Sequence, residues 1–460
     1  MANRIGIIGG GFSGTILVRH LVNQKNKKLD IILFNYTNKL SGGVAYNPKS
    51  KRLLLNVIAS KMSAFPDQPN HFVEWCLKNG LAKENESSIL ASSFLPRAVY
   101  GQYLKDIWNE TIEILRKNGH ELNVFEEEEV QNVQKTNGAY NLKSKNYSLN
   151  VDFVVLATGN ELPGNPEILN PSFFHSEYYH QNPWKINLSN FKNDQPILII
   201  GNGLTMVDTV IELRENGFNQ KIVSVSPNGF NILPHRNFTF EYKCLLTQIS
   251  ENHSLLEIVS IFNQELKRLN EFGISAEPLI DSLRPNIQKI WKMLSLSEKR
   301  LFLKRLRHLW GVARHRIPFV SYDFIQKQQI ENRLEILAGK IIDISVQNGI
   351  VHAEVFDKKR NTKVKHTFSN VINCTGPETN ISRLSNCLLL NMLNGGLIVQ
   401  DELNLGIQVN EQFQVIDKDG RPSSAIFAMG NLIKGVLWES TAINELRSQA
   451  KYISEKIINR

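Results

Sequence analysis

The sequence predicts an α/β protein with two Rossmann-like dinucleotide-binding domains, β-meanders and a helical insertion. A glycine fingerprint follows a short apolar strand at the N-terminus, and a similar fingerprint follows an apolar strand in the middle of the chain. Each is followed further on by extended runs that contain an Asn-Gly turn and end in Thr-Gly. A unit that occurs twice indicates two nucleotide-binding domains.

The first fingerprint lies directly after an apolar strand and opens a helical pattern. Gly9, Gly11 and Gly14 have the spacing of a dinucleotide-binding turn. We expect Gly9 to permit the tight turn, Gly11 to let the backbone approach a pyrophosphate, and Gly14 to let helix and strand pack closely. The amides of Phe12 and Ser13 then face the anion at the helix N-terminus. A glycine-rich turn without a ligand is the alternative, but the flanking strand and helix favour the nucleotide.

The second strand ends at the position that binds the adenosine ribose in such domains. That position is normally Asp or Glu, and here it is Asn35. The side-chain carbonyl of Asn35 can accept a hydrogen bond from a hydroxyl, although more weakly than a carboxylate.

Length and hydropathy predict two or three domains in a chain of 460 residues. No apolar run approaches the roughly 18 residues that cross a bilayer. The N-terminal apolar segment is interrupted by glycines, which distinguishes it from a signal peptide. We therefore expect a cytoplasmic protein with no membrane partner.

The cysteines exclude two classes of site. They form no C-x-x-C pair and have no metal-ligand spacing, so we expect no metal, no dithiol-type reductase and four buried thiols. They are Cys76, Cys244, Cys374 and Cys387.

The formal charge of +9 suggests an anionic partner. The densest cationic region contains Arg300, Lys304, Arg307 and Arg314, whose spacing predicts one helix face. This face is either a solvated surface or an electropositive lip for NAD(P)H or an acidic substrate. Nucleic acid is not expected as a partner, because no nucleic-acid-binding module accompanies the charge.

An irregular stretch and a helix start also bear on function. The stretch 41–76 has neither helical nor strand period, and long irregular segments in compact domains tend to be functional. Arg97 stands near the start of the next helix, where it could hold an anion or act only as a surface cap.

Two meanders follow the same plan. In each, an Asn-Gly turn joins extended runs and the last strand ends in small residues, so the backbone passes close to something flat at Thr158, Gly159 and Gly376. The first comprises Leu122–Gln134, the Asn137-Gly138 turn, Ala139–Ser144 and Val151–Leu156. The second comprises Glu335–Gln347, the Asn348-Gly349 turn, Ile350–Asp357 and Phe368–Asn373.

The second fingerprint is less regular than the first. Gly201 and Gly203 are followed by a helix that begins with Leu204 and Thr205, and Met206 occupies the third glycine position. Its side chain is expected to change the packing of helix and strand more than the phosphate contact. The next strand lacks the arginine that grips a 2′-phosphate. Arg236 is a possible substitute, so NADH and NADPH both stay open.

A helical segment from Leu255 to Lys327 interrupts the second unit, with breaks at Pro278 and Pro285. It is mostly core, and its place in the chain suits a substrate-facing cap. The chain then returns through a buried strand ending at Gly430 and a helix opening at Trp438.

The chain resembles the FAD/NAD(P)-binding flavoprotein family that groups with FAD-dependent urate hydroxylases and amino-acid N-monooxygenases. The motifs that carry the resemblance extend over the whole chain. They are residues 9–14, 43–46, 54–57, 96–97 with 100–104, 201–208, 314–316, 373–376 and 438–447.

The resemblance implies an FAD-binding domain formed by residues 1–165 and 376–460, and an NAD(P)-binding domain at 190–375 with the insertion at about 250–330. FAD, NADPH or NADH, and molecular oxygen would be used to hydroxylate a small polar substrate through a C4a-(hydro)peroxyflavin. The basic region favours an anionic substrate. Where relatives tend to have a Ser-Arg pair, this chain has Ser226-Pro227.

In such flavoproteins the return segment approaches the flavin, so the resemblance implies FAD contacts at Gly430, Asn431 and Glu439, whereas a plain strand and helix is the alternative. The peroxyflavin needs a dry pocket, for which Tyr46, Asn56 and Trp438 are candidates. The run Arg314, His315 and Arg316 either binds the nucleotide or an acidic substrate or forms a structural ion-pair cluster. Two other functions stay open: an NAD(P)H:acceptor oxidoreductase without oxygen insertion, and a non-catalytic FAD-binding redox sensor.

Overall fold

The structure is a computed structural model, and it describes residues 3–25, 27–48, 50–136, 138–186, 191, 195–236, 240 and 242–460. The strands that it describes are β1 (Asn3–Ile8), β2 (Leu29–Asn35), β3 (Glu121–Glu126), β4 (Val130–Lys135), β5 (Tyr140–Ser144), β6 (Ser148–Val151), β7 (Phe153–Leu156), β8 (Tyr179–His180), β9 (Ile197–Ile200), β10 (Ile222–Ser226), β11 (Leu334–Gln347), β12 (Ile350–Asp357), β13 (Thr362–Phe368), β14 (Val371–Asn373), β15 (Gln414–Ile416) and β16 (Pro422–Ala428).

The α-helices described are α1 (Phe12–Val22), α2 (His71–Lys78), α3 (Ser87–Ser92), α4 (Arg97–Asn118), α5 (Leu204–Glu215), α6 (Cys244–Gln248), α7 (Leu255–Glu271), α8 (Glu277–Leu283), α9 (Ile287–Met293), α10 (Leu296–Arg305), α11 (Arg307–Arg314), α12 (Phe319–Ile330), α13 (Cys387–Asn394) and α14 (Ile443–Ile458). Short 3-10 turns connect several of them, including Arg284–Asn286 and Gly430–Ile433.

The first sheet has the strand order β15-β16-β7-β1-β2-β3. β1 lies between β2 and β7 and is parallel to both, so the chain order reverses on either side of it. Helices α1, α4 and α14 contribute to the core on one face, and α13 with the sheet β4-β5-β6 contributes to the core on the other. Coverage on both faces explains why β1 and β2 read as nearly continuous apolar runs.

The second sheet has the order β13-β12-β11-β10-β9-β14-β8. Here β9 takes the place of β1, with parallel neighbours β10 and β14. Helices α5 and α12 pack against this sheet through Val210 and Ile325, among other residues. Both sheets thus reverse their strand order next to a fingerprint strand, which is where open α/β sheets bind ligands.

The predicted meanders are correct in plan and wrong in their strand boundaries. The first run is two strands, because the left-handed residue Glu127 (φ 56°) ends β3, which pairs with β2, before β4 begins the small sheet. The last run breaks at Asp152, whose carboxylate accepts a hydrogen bond from the Arg4 amide at 2.8 Å. Of the predicted turn, Asn137 lies outside the described residues.

The second meander contains a strand that the pattern did not reveal. The predicted strand from Phe368 to Asn373 is two strands, since Phe368 ends β13 and β14 begins only at Val371. β13 forms the edge of its sheet and carries Lys363 and Lys365. Charged residues are common on edge strands because they discourage pairing with other chains, and they also obscure the strand signal.

The helical insertion is divided more finely than the spacing of its charges predicts. Arg300 and Lys304 lie on α10, whereas Arg307 and Arg314 lie on α11, and the chain turns at Leu306. The four residues therefore do not share one helix face. Pro278 lies in the first turn of α8 and Pro285 in the following 3-10 turn, where proline replaces amides that have no partner within the helix.

The structure corrects one expectation about the cysteines. All four are free, but only Cys76 and Cys374 are buried, and burial raises the pKa of each of these thiols to about 12. Cys244 and Cys387 are exposed. In the described part of the chain, no group of His, Cys, Asp or Glu has the arrangement of a metal site. No helix there is long and apolar enough to cross a bilayer.

A partly buried histidine on α1, His20, should make stability depend on pH. The ring of His20 packs edge-on against Phe65 at 6.2 Å, its Nε2 atom is buried without a partner, and burial lowers its pKa to about 4. The unfolded chain binds this proton near pH 6.5, so the contribution of His20 to stability is lost as pH falls through 6.5 towards 4. Between pH 7 and pH 5 we expect the free energy of unfolding to fall by about 2 kcal/mol less in His20→Leu than in the wild type. Urea unfolding at the two pH values measures this, and an equal loss in both proteins would contradict it.

Candidate functional site

A large cavity lies at the carboxyl ends of β1, β2 and β7. Its volume is about 930 Å³, and its walls include Gly9, Phe34, Tyr36 and Thr158. This is the crevice next to the strand at which the sheet order reverses. Its size lies within the range of about 300–1,000 Å³ that is usual for cofactor and small-molecule sites.

The three glycines of the first fingerprint occupy three different environments. Gly9 has φ +114°, and a Cβ atom there would lie 2.1 Å from the Ala157 carbonyl oxygen. A Cβ on Gly14 would lie 1.9 Å from the carbonyl oxygen of Gly9, so α1 packs directly on the loop. A Cβ on Gly11 would meet only the Cα of Gly43, at 3.9 Å. Gly9 and Gly14 thus allow close backbone contacts, while Gly11 leaves open space at the start of α1.

The N-terminus of α1 is available to an anion. Gly11 is its N-cap residue and supplies no side-chain cap, so the first amides are not capped by the helix's own side chains. Phe12 is buried and stacks on Tyr100 with ring centroids 6.5 Å apart, while Ser13 is partly exposed. The packing of Phe12 fixes the direction of α1. The uncapped amides at the start of α1 are suited to binding a pyrophosphate.

The strand end beside the fingerprint carries a polar atom that has no partner. Thr158 Oγ1 is buried without a hydrogen bond, and Gly159 follows with φ +78° and no atom within 4 Å of a Cβ position. A buried hydroxyl without a partner usually indicates a missing ligand or water. The cavity, the open glycine and this hydroxyl together fit a dinucleotide such as FAD.

Asn35 lies at the end of β2, where the ribose contact is expected. Its Oδ1 accepts a hydrogen bond from the Gly10 amide at 3.3 Å, and its Nδ2 donates to the Thr37 carbonyl at 2.7 Å. The side chain therefore connects the fingerprint loop with the loop after β2. Its role as a ribose ligand stays a prediction, for which the second lone pair of Oδ1 is available.

Arg97 takes part in an ion pair between the two halves of the molecule. Its guanidinium donates to both carboxylate oxygens of Asp208, at 2.7 and 3.1 Å, and to the Leu54 carbonyl at 3.0 Å. Both side chains are about one-tenth exposed. Arg97 begins α4, which packs on α1, and Asp208 lies on α5, so the pair joins α4 to the helix of the second fingerprint. That Arg97 binds an anion stays a prediction, because its ion pair with Asp208 already provides its guanidinium with a counter-ion.

The second fingerprint repeats the geometry of the first. Gly201 has φ +101°, and a Cβ there would lie 2.6 Å from the Cys374 carbonyl oxygen. Gly9 approaches the Ala157 carbonyl oxygen in the same way. Gly203 is the uncapped N-cap residue of α5, with no atom within 4 Å of a Cβ position.

Helix α5 starts with Leu204 and the partly buried Thr205, and Met206 fills the core beneath it. Asn202 Oδ1 is buried without a partner beside this helix start. Gly376, which ends the second meander, has φ +89° and open space around it, like Gly159. This end of the second sheet therefore also suits a dinucleotide.

A lysine that the sequence did not single out reaches the end of β10. Lys358 Nζ donates to the Pro227 carbonyl at 2.5 Å, from a turn 131 residues further along the chain. Arg236, the residue considered for a 2′-phosphate, is instead paired with Glu277 at 3.3 Å. Lys358 therefore places a positive charge at the end of β10, where the sequence of the fingerprint unit has none.

The return segment presents small and polar groups ahead of α14. Gly430 has φ +73°, its amide donates to Gln449 Oε1 at 2.9 Å, and its carbonyl accepts from Ser440 Oγ at 2.8 Å. Asn431 beside it is buried. Ala442 is the N-cap residue of α14 and makes no side-chain hydrogen bond. The first amides of α14 are therefore uncapped, like those of α1.

The predicted cationic run forms ion pairs. Arg314 lies 3.5 Å from Glu439, whose other carboxylate oxygen accepts a hydrogen bond from the Trp310 indole at 2.9 Å. Arg316 is buried and pairs with Asp281, and His315 hydrogen-bonds to the Gly311 carbonyl of its own helix. The Arg314 pair joins the insertion to the return segment, and the Arg316 pair lies within the insertion. The structure leaves neither arginine without a counter-ion.

The three residues considered for the reaction pocket lie in different surroundings. Tyr46 packs against Tyr100 at 4.7 Å, and burial raises its pKa to about 12. The Asn56 carbonyl accepts a hydrogen bond from His235 Nε2 at 2.9 Å. Trp438 stacks on Trp291 inside the helical insertion, with ring centroids 4.9 Å apart. Their roles stay predictions.

The sequence comparisons support the two nucleotide sites. Residues 6–161 match a family model described as FAD-NAD(P)-binding, and residues 89–238 match one described as pyridine nucleotide-disulphide oxidoreductase. The curated protein YdhS of Escherichia coli K12 is 25% identical over 193 residues, which are 39% of this chain and 34% of YdhS. The chain thus matches about a third of the length of that relative.

Solved structures resemble the chain over its whole length. The ornithine N-hydroxylase KtzI of Kutzneria sp. 744 gives a TM-score of 0.67 at 14% identity, covering 100% of both chains. The ornithine hydroxylase PvdA of Pseudomonas aeruginosa gives 0.68 at 13% identity, covering 100% of this chain and 99% of that one. At these identities the likeness shows the fold.

These findings confirm the predicted fold class, an α/β protein with two dinucleotide-binding domains, and the resemblance to FAD/NAD(P)-binding flavoproteins. They also confirm the predicted cofactors, FAD and a nicotinamide nucleotide. The described residues fit both, since each sheet offers an open glycine at an uncapped helix start and an unpartnered polar atom nearby.

Proposed function

We propose, from the premise that the chain is an FAD- and NAD(P)-binding oxidoreductase, that it is a monooxygenase which hydroxylates a small polar substrate. The observation that carries this proposal is the likeness to two ornithine hydroxylases over the full chain. The reaction consumes NAD(P)H, a proton and O₂, and it yields NAD(P)⁺, water and the hydroxylated substrate. We assign residues 1–165 and 376–460 to FAD and 190–375 to NAD(P)H, and we infer a cytoplasmic location.

FAD, when bound, supplies the hydride acceptor and the oxygen chemistry. The chain's part is to bind and orient the two nucleotides. The uncapped helix starts at Gly11 and Gly203 would hold the two pyrophosphates by their amides. The pair of Arg97 with Asp208 ties α4, which packs on α1, to α5. The loop that contains Tyr46 packs on α4, since a Cβ on Gly101 would lie 2.0 Å from the Tyr46 carbonyl oxygen.

The substrate is proposed to be small and polar, as the resemblance implies. An anionic substrate has less support than the composition indicated, because Arg314 and Arg316 already have carboxylate partners. Disulfide chemistry is also unsupported, although one family model is named for it, because the four cysteines are free and two of them are buried.

The flavin-loaded protein tests the proposal. NADH or NADPH is added without oxygen, and the loss of the oxidised-flavin absorbance is followed. The reduced protein is then exposed to ¹⁸O₂ with ornithine or urate, and the NAD(P)H consumed, the H₂O₂ released and the label in the product are measured. We expect a labelled product and less H₂O₂ than NAD(P)H consumed.

Release of one H₂O₂ for each NAD(P)H with every substrate offered would contradict the monooxygenase. Electron transfer to an added acceptor under those conditions would favour the NAD(P)H:acceptor oxidoreductase. Bound flavin that neither nucleotide reduces would contradict both enzymes and favour the redox sensor.

Lys358 should decide which nicotinamide nucleotide is preferred. Its amine lies at the end of β10, where the adenosine ribose of the second nucleotide is expected. A charge-assisted contact with a 2′-phosphate contributes about 1.5 kcal/mol or more. We expect Lys358→Ala to raise KM for NADPH about tenfold and to leave KM for NADH nearly unchanged.

Lys359→Ala is the matched control, since it removes the same charge from the neighbouring position of that turn. Steady-state NAD(P)H oxidation by the wild type and both variants measures the KM values for NADH and NADPH. Equal changes for NADH and NADPH would show that Lys358 does not contact the phosphate.

A further inference from the structure

A second cavity lies in the helical insertion, and none of its wall residues belongs to either fingerprint. Its volume is about 460 Å³. It is lined by α7, α8, α9, α10 and α11, together with Trp438 from the return segment, and it is partly open to solvent. Nearly all of its wall residues are aliphatic or aromatic, and half of them are buried, among them Ile258, Ile280, Leu283, Ile290, Trp291, Phe302 and Trp310.

The polar groups around this cavity are few: two of its three indole N–H groups are paired, and that of Trp438 is buried without a partner. The indole N–H of Trp291 donates to the Gly435 carbonyl at 2.8 Å, and that of Trp310 donates to Glu439 at 2.9 Å. Asn263 is the one side-chain amide among the described wall residues. A bound water needs two to four polar partners, so most of this space is unfavourable for water. Covering its apolar walls is therefore favourable.

The size of the cavity selects the kind of occupant. A helix with its side chains is about 10–12 Å across with a pitch of 5.4 Å, so 460 Å³ corresponds to about one turn. A docking helix of three turns or more does not fit. A dry apolar cavity of about 150 Å³ binds benzene, and sites for small molecules begin at about 300 Å³. The space therefore suits a small molecule.

We propose that this cavity is a binding site for an uncharged, apolar small molecule, such as a fused aromatic system or a medium-length aliphatic chain. The aromatic walls offer stacking and edge contacts, and the aliphatic walls offer dispersion contacts. The site carries no charged wall residue in the described part of the chain, so a carboxylate or ammonium group inside it would lack a counter-ion. The proposal concerns binding alone and goes beyond the monooxygenase reaction.

Binding of 1-decanol and naphthalene to the flavin-loaded chain tests the proposal. Three of the six tryptophans, Trp291, Trp310 and Trp438, line the cavity, so intrinsic fluorescence should report its occupation. We expect a saturable change with a stoichiometry near one in isothermal titration calorimetry, and a rise in Tm at saturating ligand. We expect 1-butanol, which carries the same hydroxyl on a shorter chain, to bind at least tenfold more weakly.

Filling the cavity from its walls provides the decisive variants. Ala313→Phe and Ala276→Phe each place a ring into the space from a different helix region. We expect both to keep FAD and Tm and to weaken 1-decanol binding more than tenfold. Ala450→Phe is the control for packing, because Ala450 is fully buried in the core around α14, and we expect its Tm to fall.

Three results would overturn the proposal. The first is the absence of saturable binding of either probe to the wild type. The second is undiminished binding by both cavity-filling variants. The third is a fall in Tm for both variants as large as that of Ala450→Phe, which would show that the space is already filled by the protein.

Discussion

Gly11→Ala is expected to yield a folded protein that no longer retains FAD. The new methyl group meets only the Gly43 Cα at 3.9 Å, and the backbone at Gly11 (φ −76°, ψ −162°) is accessible to alanine. The cost to the fold is therefore below about 1 kcal/mol. The methyl group does, however, occupy the space through which a pyrophosphate approaches the first amides of α1. Flavin content after purification and Tm of the apoprotein measure the two effects separately.

Gly14→Ala is the matched change and should act on the fold itself. Its Cβ would lie 1.9 Å from the Gly9 carbonyl oxygen, which is backbone and cannot rotate away. We expect a loss of about 3 kcal/mol or more in the free energy of unfolding, a large part of the stability of a typical domain. If Gly14→Ala were as stable as the wild type, or Gly11→Ala kept its full flavin content, the assignment of these glycines would be wrong.

Gly203→Ala extends the same experiment to the second fingerprint. A Cβ there meets no atom within 4 Å, so the fold and the FAD content should be unaffected. The methyl group would stand at the uncapped start of α5, and KM for NAD(P)H should rise at least tenfold. Loss of flavin in this variant, with KM unchanged, would place the FAD on the other sheet.

The backbone of both nucleotide units could be predicted because their constraints are local. The spacing of Gly9, Gly11 and Gly14 requires a strand, a tight turn and a helix in sequence, whatever surrounds them. The repetition of the unit then predicted the second sheet, including the correspondence of Ala157 to Cys374 beside the two fingerprint loops. Such features depend on backbone geometry, which a few residues determine.

Side-chain partners could not be predicted, because they come from distant parts of the chain. The partner of Arg97 is 111 residues away, and the amine near Pro227 is 131 residues away. From spacing alone, a cationic side chain with a carboxylate partner is indistinguishable from one that binds an anion. The run at Arg314 and Arg316 shows the same difficulty, since Glu439 and Asp281 belong to other elements. Strand ends were also missed where a single residue turns the chain, as at Glu127.

Removing either partner of the pair between Arg97 and Asp208 is expected to destabilise the protein strongly. Both side chains are about one-tenth exposed, so loss of one partner leaves a buried charge without compensation. Such losses cost about 3–5 kcal/mol, whereas replacing both partners by apolar residues of similar size is often nearly neutral. We expect Arg97→Met and Asp208→Leu each to lose stability in this range. The double variant should be more stable than either single variant, which urea unfolding of all four proteins measures.

The pH dependence of Arg97→Met separates lost charge from lost packing. Burial raises the pKa of Asp208, and Arg97 opposes this shift. Without Arg97 the pKa of Asp208 rises further, and protonation then removes the uncompensated charge. A raised carboxyl pKa in the folded state means that stability decreases as pH rises through that pKa. The deficit of Arg97→Met relative to the wild type should therefore shrink as pH is lowered from 7 to 5. The stability deficit of Asp208→Leu should not shrink in this way, because that variant has no carboxyl group at position 208 to protonate. A pH-independent deficit in Arg97→Met would mean that the pair joins the helices by packing rather than by charge.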